Sequence, residues 1–566
     1  MASFAFASLR AAPSAACSLA SVSRTAWVGS NAASKPKAQR RKCSKSVVRM
    51  GSSFAPGAIP EKIQFQSNLW YQLAVLLLRL DGDGPLHRQA YRALRAAILA
   101  RRLAPGAKLP ATRALARELA LSRNTVLAAY EQLVAEGYAS ARVGSGTTVC
   151  ETLPAGQSPG AATPSRRATP PRLSAFGDRI AAGIPRGQAT WSLPREPLPY
   201  DFRYGEPAYA DLPLATWSRL LGRRARRLSV RRLAYQAPGG APELREALAG
   251  YLARARGVRA TPEQLIVMRG SQQAIDLATR LLVDPGDTVV LEEPHYTGFS
   301  FCTTALGAKT AYVPVDAEGL RVDALEQVPA ARLACVTPSH QFPAGGVLPL
   351  PRRLALLAWA ERRAAFVLED DYDGEFRHAG RPLECLQALD EQGRVLYTGT
   401  ASKLLFPALR IGWLVAPAAL APHFEDAKAL ADTGTATLEQ LALADFIAQG
   451  HLERHVRRMR TRLAQRRAAL IEALAEQLGE RARVRGADAG LHVLLCLDEL
   501  AMREVRALRE ACRAHGVGIY PAAPFYARPP RRAEVLLGYG ALGEDAIREG
   551  VRRLRRALDA LRASRA

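Results

Sequence analysis

The chain has 566 residues with 78 Lys and Arg against 52 Asp and Glu, a formal net charge of +26. That is too long for one hydrophobic core and basic enough to point to an anionic partner. Eight cysteines with no paired C-x-x-C spacing indicate neither a zinc site nor a disulfide scaffold, and a reducing compartment fits. The apolar run Leu69–Leu78 is well short of the roughly 20 residues that a membrane span needs, so no membrane partner is expected.

Residues 1–60 hold no acid and nine Lys or Arg amid many Ser and Ala, which leaves +17 for the rest. An acid-free, Ser/Ala/Arg-rich leader of this kind reads as an organellar transit peptide of plastid type, or else as a disordered basic tail. Residues 69–150 are expected to form a first domain. Leu86–Ala100 places Tyr91, Leu94 and Ile98 at helical spacing, and Pro105-Gly106 stops that helix. Thr112 is expected to cap a second helix through Leu119, and Ser122 a third over Arg123–Glu136. Gly144-Ser-Gly146 then separates two short β-prone arms, the first carrying Arg142, as a hairpin wing. Residues 86–149 hold ten Lys or Arg and three acids, so this helix-turn-helix with a wing is locally +7.

Residues 151–198, rich in Pro, Gly, Ser, Thr and Arg without apolar periodicity, read as a flexible linker. From residue 199 to 566 short apolar segments alternate with helical patterns: Gln264–Met268, Thr288–Leu291, Leu333–Val336, Ala365–Glu369 and Arg394–Thr398. The alternation predicts an α/β domain with a mainly parallel sheet, whose ligands gather at the strand C-terminal ends.

The chemistry sits at those ends. Residues Thr398–Trp413 (TGTASKLLFPALRIGW) set Lys403 among hydroxyls with Arg410 a short reach beyond, about thirty residues after Glu369-Asp-Asp-Tyr-Asp373. A lysine amine for a Schiff base, a hydroxyl and guanidinium for a phosphate, and a carboxylate for a pyridinium nitrogen are the parts that hold pyridoxal phosphate. Asp370 or Asp371 supplies the carboxylate, one only, because neighbouring strand residues point opposite ways. Ser271 and Gln272 open a helix after Gly270 and form a phosphate cradle with its free N–H groups. Tyr296 offers a stacking face, Tyr372 a hydroxyl for the ring phenolate, and His340 stands in a Pro/Gly loop at the same edge.

The motifs LPATRALARELALSRNTVLAAYEQLVAEGY, VGSGTTV, GSQQAIDL, TPSHQFPAG, EDDYDGEF and GTASKLLFPALRIGW together resemble the MocR-type subfamily of GntR-like transcription regulators. The resemblance covers about residues 69–560. It implies a winged helix-turn-helix joined to a large fold type I aminotransferase-like α/β domain with a smaller C-terminal α+β subdomain. It further implies that Lys403 forms the Schiff base, Asp370 pairs with the pyridine nitrogen, Tyr372 bonds the phenolate oxygen and Tyr296 stacks. Ser271, Gln272, Thr400 and Arg410 would hold the phosphate, His340 would lie at the cofactor, and Tyr235 would reach the cofactor of a partner subunit in a homodimer. Arg113, Ser122, Arg123, Asn124, Thr125 and Arg142 would face double-stranded DNA, the basic and hydroxyl side chains at a recognition-helix start positioning phosphates and reading base edges.

One departure bears on function. Aminotransferases of this fold place an arginine on a late strand to grip the substrate α-carboxylate, and Glu534–Tyr539 (EVLLGY) has leucine there, with Arg528, Arg531 and Arg532 as the nearby substitutes. The leading expectation is therefore a regulator that senses pyridoxal phosphate or an amine through Lys403 and alters operator binding. The rival is an active aminotransferase with an accessory winged helix, and a third reading is a nonspecific basic DNA binder. A bacterial-type regulator works in the cytoplasm beside the nucleoid; a genuine transit peptide would send the chain to a plastid.

Overall fold

The computed structural model describes residues 78–142, 144–152, 172–183, 197–378 and 384–564. The leader, residues 69–77 and most of the linker lie outside these residues. The chain divides into two compact units, one up to Ala168 and one from Thr169 onward.

In the first unit α1 (Leu86–Leu99), α2 (Thr112–Glu118) and α3 (Arg123–Ala135) precede the antiparallel strands β1 (Ala139–Arg142) and β2 (Gly146–Val149). The apolar stripe of α1, Leu94 and Ile98, packs with Leu115, Val126, Tyr130, Leu133 and Val149 into a separate small core. The wing turns at Gly144 and Gly146, both with positive φ (81° and 92°), which a side chain tolerates poorly. Thr112 does not cap α2: it is the first helical residue, and Ala111 holds the cap position without a side-chain bond. Ser122 does cap α3, its Oγ accepting from the Thr125 N–H.

The second unit begins with α4 (Ala175–Gly183), inside the span read as linker. Its Arg179 donates to the Ala305 and Leu306 carbonyls, and Arg280 lies over the Phe176 ring. A charged side chain capping another helix's last carbonyls leaves no periodic apolar stripe to find in the sequence. Then follow β3 (Tyr200–Asp201), α5 (Leu214–Arg226), α6 (Val230–Leu233), α7 (Pro242–Arg256), β4 (Leu265–Met268), α8 (Ser271–Leu282), β5 (Thr288–Glu293), α9 (Thr297–Leu306), β6 (Lys309–Asp316), β7 (Gly319–Leu320), β8 (Leu333–Val336), α10 (Leu350–Arg362), β9 (Phe366–Asp370), β10 (Val395–Thr400), α11 (Ala401–Leu404) and β11 (Gly412–Val415). Strands β4 to β11 form one sheet in the order β4-β11-β10-β9-β8-β5-β6-β7. The run β10-β9-β8-β5-β6 is parallel, and β11 lies antiparallel to both its neighbours.

Every residue of β4, β8, β10 and β11 is buried, because helices cover both faces. Alternation sends Leu291, Cys335, Leu368 and Leu396 toward α8 and α9, and Val290, Ala334, Val367 and Val395 toward Trp359 of α10. The remaining helices α12 (Ala421–Asp432), α13 (Thr437–Ala448) and α14 (His451–Leu478) lead to a second, four-stranded antiparallel sheet. It contains β12 (Arg483–Arg485), β13 (His492–Ala501), β15 (Tyr520–Pro521) and β16 (Arg532–Gly538), with α15 (Val505–Ala514) and α16 (Glu544–Ala563) alongside. Strand β14 (Val517–Gly518) pairs in parallel with β3, tying the first strand of this unit to its C-terminal layer.

Candidate functional site

In the first unit the turn between α2 and α3 carries Ser122, Arg123, Asn124 and Thr125, four of the residues expected to face DNA. Ser122 Oγ accepts from Thr125 N–H at 3.1 Å and shares a 2.8 Å hydrogen bond with the Thr125 hydroxyl. Both side chains are thereby used to open the helix. Arg123 and Asn124 stand exposed in its first turn, Arg113 is exposed at the start of α2, and Arg142 is exposed at the end of β1. No ion pair involves Arg113, Arg123 or Arg142 among the described residues, and all three side chains are exposed, Arg123 at the positive end of the α3 dipole.

In the second unit Lys403 is placed by the short connection between β10 and β11. The Thr400 hydroxyl accepts from Ser402 N–H at 3.1 Å and starts α11, which carries Lys403. Its Nζ donates to the Gly205 carbonyl at 2.7 Å. Burial holds this amine below the usual lysine range, against the opposing pull of Glu206, Asp373 and Asp370. A lysine so placed gives up its proton more readily than an exposed one.

Asp370 ends β9, beside Thr398 of β10. Its Oδ1 is buried without a hydrogen-bond partner, and burial, then the charge of Asp371, pushes its carboxyl up to about 8. Asp371 is occupied elsewhere: Arg256 Nε donates to it at 2.6 Å and Tyr397 Oη at 2.8 Å, all three side chains buried. The two adjacent carboxylates thus have different surroundings, and Asp370 is the one left open. Arg256 also reaches Ser339 and the Gly374 carbonyl.

At the opposite end Gly270, with φ +86°, leads into α8 and Ser271. Arg410, in the left-handed region with φ +51°, donates to the Arg269 carbonyl at 2.5 Å. The positive φ favours glycine at position 270, and a Cβ there would sit 3.1 Å from that guanidinium. Gln272 accepts from the Tyr296 hydroxyl at 3.3 Å and donates to the Gly298 carbonyl at 3.3 Å. Tyr296 meets Phe299 and Phe342 edge-on, and burial, with Asp370 nearby, raises its hydroxyl well above the usual range.

His340 lies beneath Tyr372. Its Nδ1 is 3.0 Å from both Asp373 and the Tyr372 hydroxyl, and its ring stands 5.1 Å from that of His492. Donor atoms of His340, Asp373 and His492 lie within 4.8 Å of one another. Burial keeps His492 well below its ordinary value, and the Pro343 carbonyl is its backbone partner. Tyr235 is not brought to this pocket: it is 92% exposed. Sequence reasoning passed over Arg256, Tyr397, Asp373, Glu206 and the Gly205 carbonyl. Of these only Asp373 lies in a motif, and Arg256 stands 115 residues from its partner with no local signal.

The gntR family of bacterial regulatory proteins matches residues 86–149, and aminotransferase class I and II matches residues 205–535. The probable rhizopine catabolism regulatory protein MocR of Rhizobium meliloti is 40% identical over 495 residues, covering 87% of this chain and 97% of the relative. The pyridoxine biosynthesis transcriptional regulator PdxR of Corynebacterium glutamicum is 30% identical over 451 residues, 79% of this chain and 90% of the relative. Among solved structures, the α-aminoadipate aminotransferase LysN of Thermus thermophilus, complexed with N-(5'-phosphopyridoxyl)-L-leucine, is 29% identical with a TM-score of 0.63. That likeness spans 69% of this chain and 98% of the enzyme. Two matched modules in this order, and a regulator similar along nearly its whole length, decide the family. The chain belongs to the MocR-type subfamily of GntR-like regulators: it is a DNA-binding transcription regulator with a winged helix-turn-helix and an aminotransferase-like domain.

Proposed function

We propose that the aminotransferase-like domain binds pyridoxal phosphate and that an amine, or the cofactor itself, is the signal that changes operator binding. The observation that carries this is the buried Asp370 Oδ1 without a partner, set against a lysine whose amine is held low and an arginine at the far end of the same pocket. Burial without a partner favours the protonated form of this carboxyl, and a cationic group that meets it would restore the carboxylate. A pyridinium nitrogen is such a group, and the bound cofactor supplies an electrophilic carbon and an electron sink.

The chain's own residues divide the work. Asp370 would face the ring nitrogen and favour its protonated form, and Lys403 would offer its amine to the cofactor's aldehyde. Ser271, Thr400, Arg410 and the N–H groups that open α8 hold the phosphate, with Gln272 keeping Tyr296 over the ring. Tyr372 and His340 close the phenolate side and exclude water. Tyr235, with Val230 and Leu233 also exposed, forms an apolar face suited to a second copy, so the working unit is a homodimer that presents two winged helices to paired half-sites. Arg113, Arg123 and Arg142 neutralise phosphates while Asn124 reads a base edge.

Borohydride treatment of the full chain with pyridoxal phosphate, followed by peptide mass analysis, is expected to mark Lys403. An operator shift whose affinity ignores both the cofactor and every amine tested would sink the sensing role. The fold's likeness to LysN favours a second reading, full transamination. Rapid single-turnover conversion of the cofactor to its pyridoxamine form on mixing with amino acids would decide for the enzyme.

A further inference from the structure

The helix α4 sits where two helices of the pocket end. Its Arg179 Nε donates to the Ala305 carbonyl at 2.9 Å and its Nη2 to the Leu306 carbonyl at 3.0 Å. These are the last two carbonyls of α9, and the two before them accept from the Gly307 N–H, so Arg179 completes the helix end. Gly307, with φ +87°, leaves room for it: a Cβ there would lie 2.9 Å from the Arg179 guanidinium carbon. Phe176 of α4 lies under Arg280, in the last turn of α8, with the guanidinium 5.2 Å from the ring centre. One short helix thus holds the C-terminal ends of both α8 and α9.

The other ends of the same two helices belong to the site. Ser271 opens α8 at the phosphate cradle, and α9 opens directly after Tyr296. Gln272 joins them there, to the Tyr296 hydroxyl and the Gly298 carbonyl by hydrogen bonds of 3.3 Å, long for their type, and to the Cys302 thiol. A ligand with its phosphate on α8 and its ring on Tyr296 bridges these ends more firmly than Gln272 does. Helices of 12 and 10 residues, about 18 Å and about 15 Å long, move as rods, so a shift at one end appears at the other. The seat of α4 therefore depends on how α8 and α9 lie against each other.

That seat also decides whether α4 is a helix. It has nine residues, fewer than the roughly 12 that hold a helix in water unaided, and none of them is buried. We propose that α4 is a strap that docks on α8 and α9 when pyridoxal phosphate is bound and releases when it leaves, so that the state of the pocket reaches the winged helix through the linker. This rests on the reading of the site as a pyridoxal phosphate pocket. Release adds the residues from 172 onward to the free tether of each winged helix, which lowers the effective concentration of the second at its half-site. Bound cofactor accordingly tightens operator binding.

The test compares the full chain with and without pyridoxal phosphate, after borohydride has marked Lys403 in a control sample. Hydrogen exchange over residues 175–183 is expected to slow on loading, and operator affinity to tighten by about 5-fold or more. Arg179→Ala is expected to keep the Lys403 mark, to exchange fast over 175–183 in both states, and to lose the operator response. The inference is overturned if wild-type exchange there is the same in both states, if loading leaves operator affinity unchanged or weakens it, or if Arg179→Ala retains the wild-type response. Such failures with the Lys403 mark present leave the cofactor reading standing, whereas a missing mark sinks that reading and this inference with it. The two wild-type comparisons decide alone should Arg179→Ala not fold.

Discussion

Charge is handled in opposite ways at the two functional surfaces. At the start of α3, Arg123 and Asn124 are exposed and Arg113 and Arg142 face solvent, while the helix end is completed by Ser122 and Thr125. At the end of β9, Asp370 and Asp371 are buried, one answered by Arg256 and Tyr397 and the other left open. A surface that meets a polyanion keeps its cations hydrated until the partner displaces water and counterions. A pocket for a small charged ligand must desolvate its charges in advance, and the fold bears that cost until the ligand arrives. Substitutions in the winged helix should therefore change binding and little else, whereas those in the pocket should change binding and stability together.

The largest expected effect is at Lys403. Lys403→Ala should remove the borohydride-fixed adduct completely and, with it, any response of operator affinity to amines, as read by mass analysis and fluorescence anisotropy. A response that survives in Lys403→Ala would separate sensing from this lysine. Next comes Arg256→Leu, which strands the buried Asp371 carboxylate and should cost about 3–5 kcal/mol of stability in denaturant unfolding. A cost well under that would mean that Tyr397 alone suffices for Asp371, and the pocket would hold less uncompensated charge than the contrast between the two surfaces requires.

These two residues also show how far the sequence could be read. Lys403, Asp370 and Arg410 sit in local motifs because the chain reverses or enters a helix beside them, and such turns leave Gly, Ser and Thr signatures. The alternation of buried strands with helical patterns likewise revealed the sheet, since both faces are covered. Arg256 was not legible: it is a polar residue at the C-terminal end of an amphipathic helix, and its partner is fixed only by tertiary packing. The helix Ala175–Gly183 was hidden for a related reason, its docking resting on Arg179 and Phe176 rather than on an apolar stripe. Alternation likewise says that Asp370 and Asp371 differ in their surroundings but not which of them Arg256 and Tyr397 engage.

On the DNA surface the effects should be smaller and confined to binding. Asn124→Ala should lose about 1–3 kcal/mol of discrimination at one base pair, and Arg123→Ala should weaken all sequences alike while lowering the salt slope by about 1. Neither should move the unfolding midpoint of the second unit. A stability loss there would erase the contrast between the two surfaces.

The pH dependence of stability sharpens the pocket side. Burial pushes Asp370 up to about 8 and both Glu292 and Glu369 up to about 7. Folded acids with raised values keep protons that the unfolded chain releases, so their contribution is complete below about pH 4 and is lost as pH rises through 7 to 8. Lys403, held low by burial, contributes in the opposite sense, favouring the fold as pH rises. Cofactor-free protein should thus lose thermal stability from pH 6 to about pH 8.5, and Asp370→Asn should flatten the slope. Bound pyridoxal phosphate, by giving Asp370 a cationic partner, should flatten it too; an equal slope in all three samples would remove Asp370 as its source.

The smallest effect belongs to Ser122. Ser122→Ala deletes the acceptor for Thr125 N–H and should cost about 1 kcal/mol locally, seen as faster hydrogen exchange in the first turn of α3. That loss alone does not say whether Ser122 acts as a cap or as a DNA contact. Ser122→Asp separates the two, since a carboxylate caps at least as well and suits the positive helix end, yet it sets a negative charge where a phosphate should approach. Exchange protection in Ser122→Asp should match the wild type while operator affinity falls below that of Ser122→Ala. Affinity retained in Ser122→Asp would place the DNA backbone away from this helix start, and the exposed Arg123 would then have to be positioned by another surface of the winged helix.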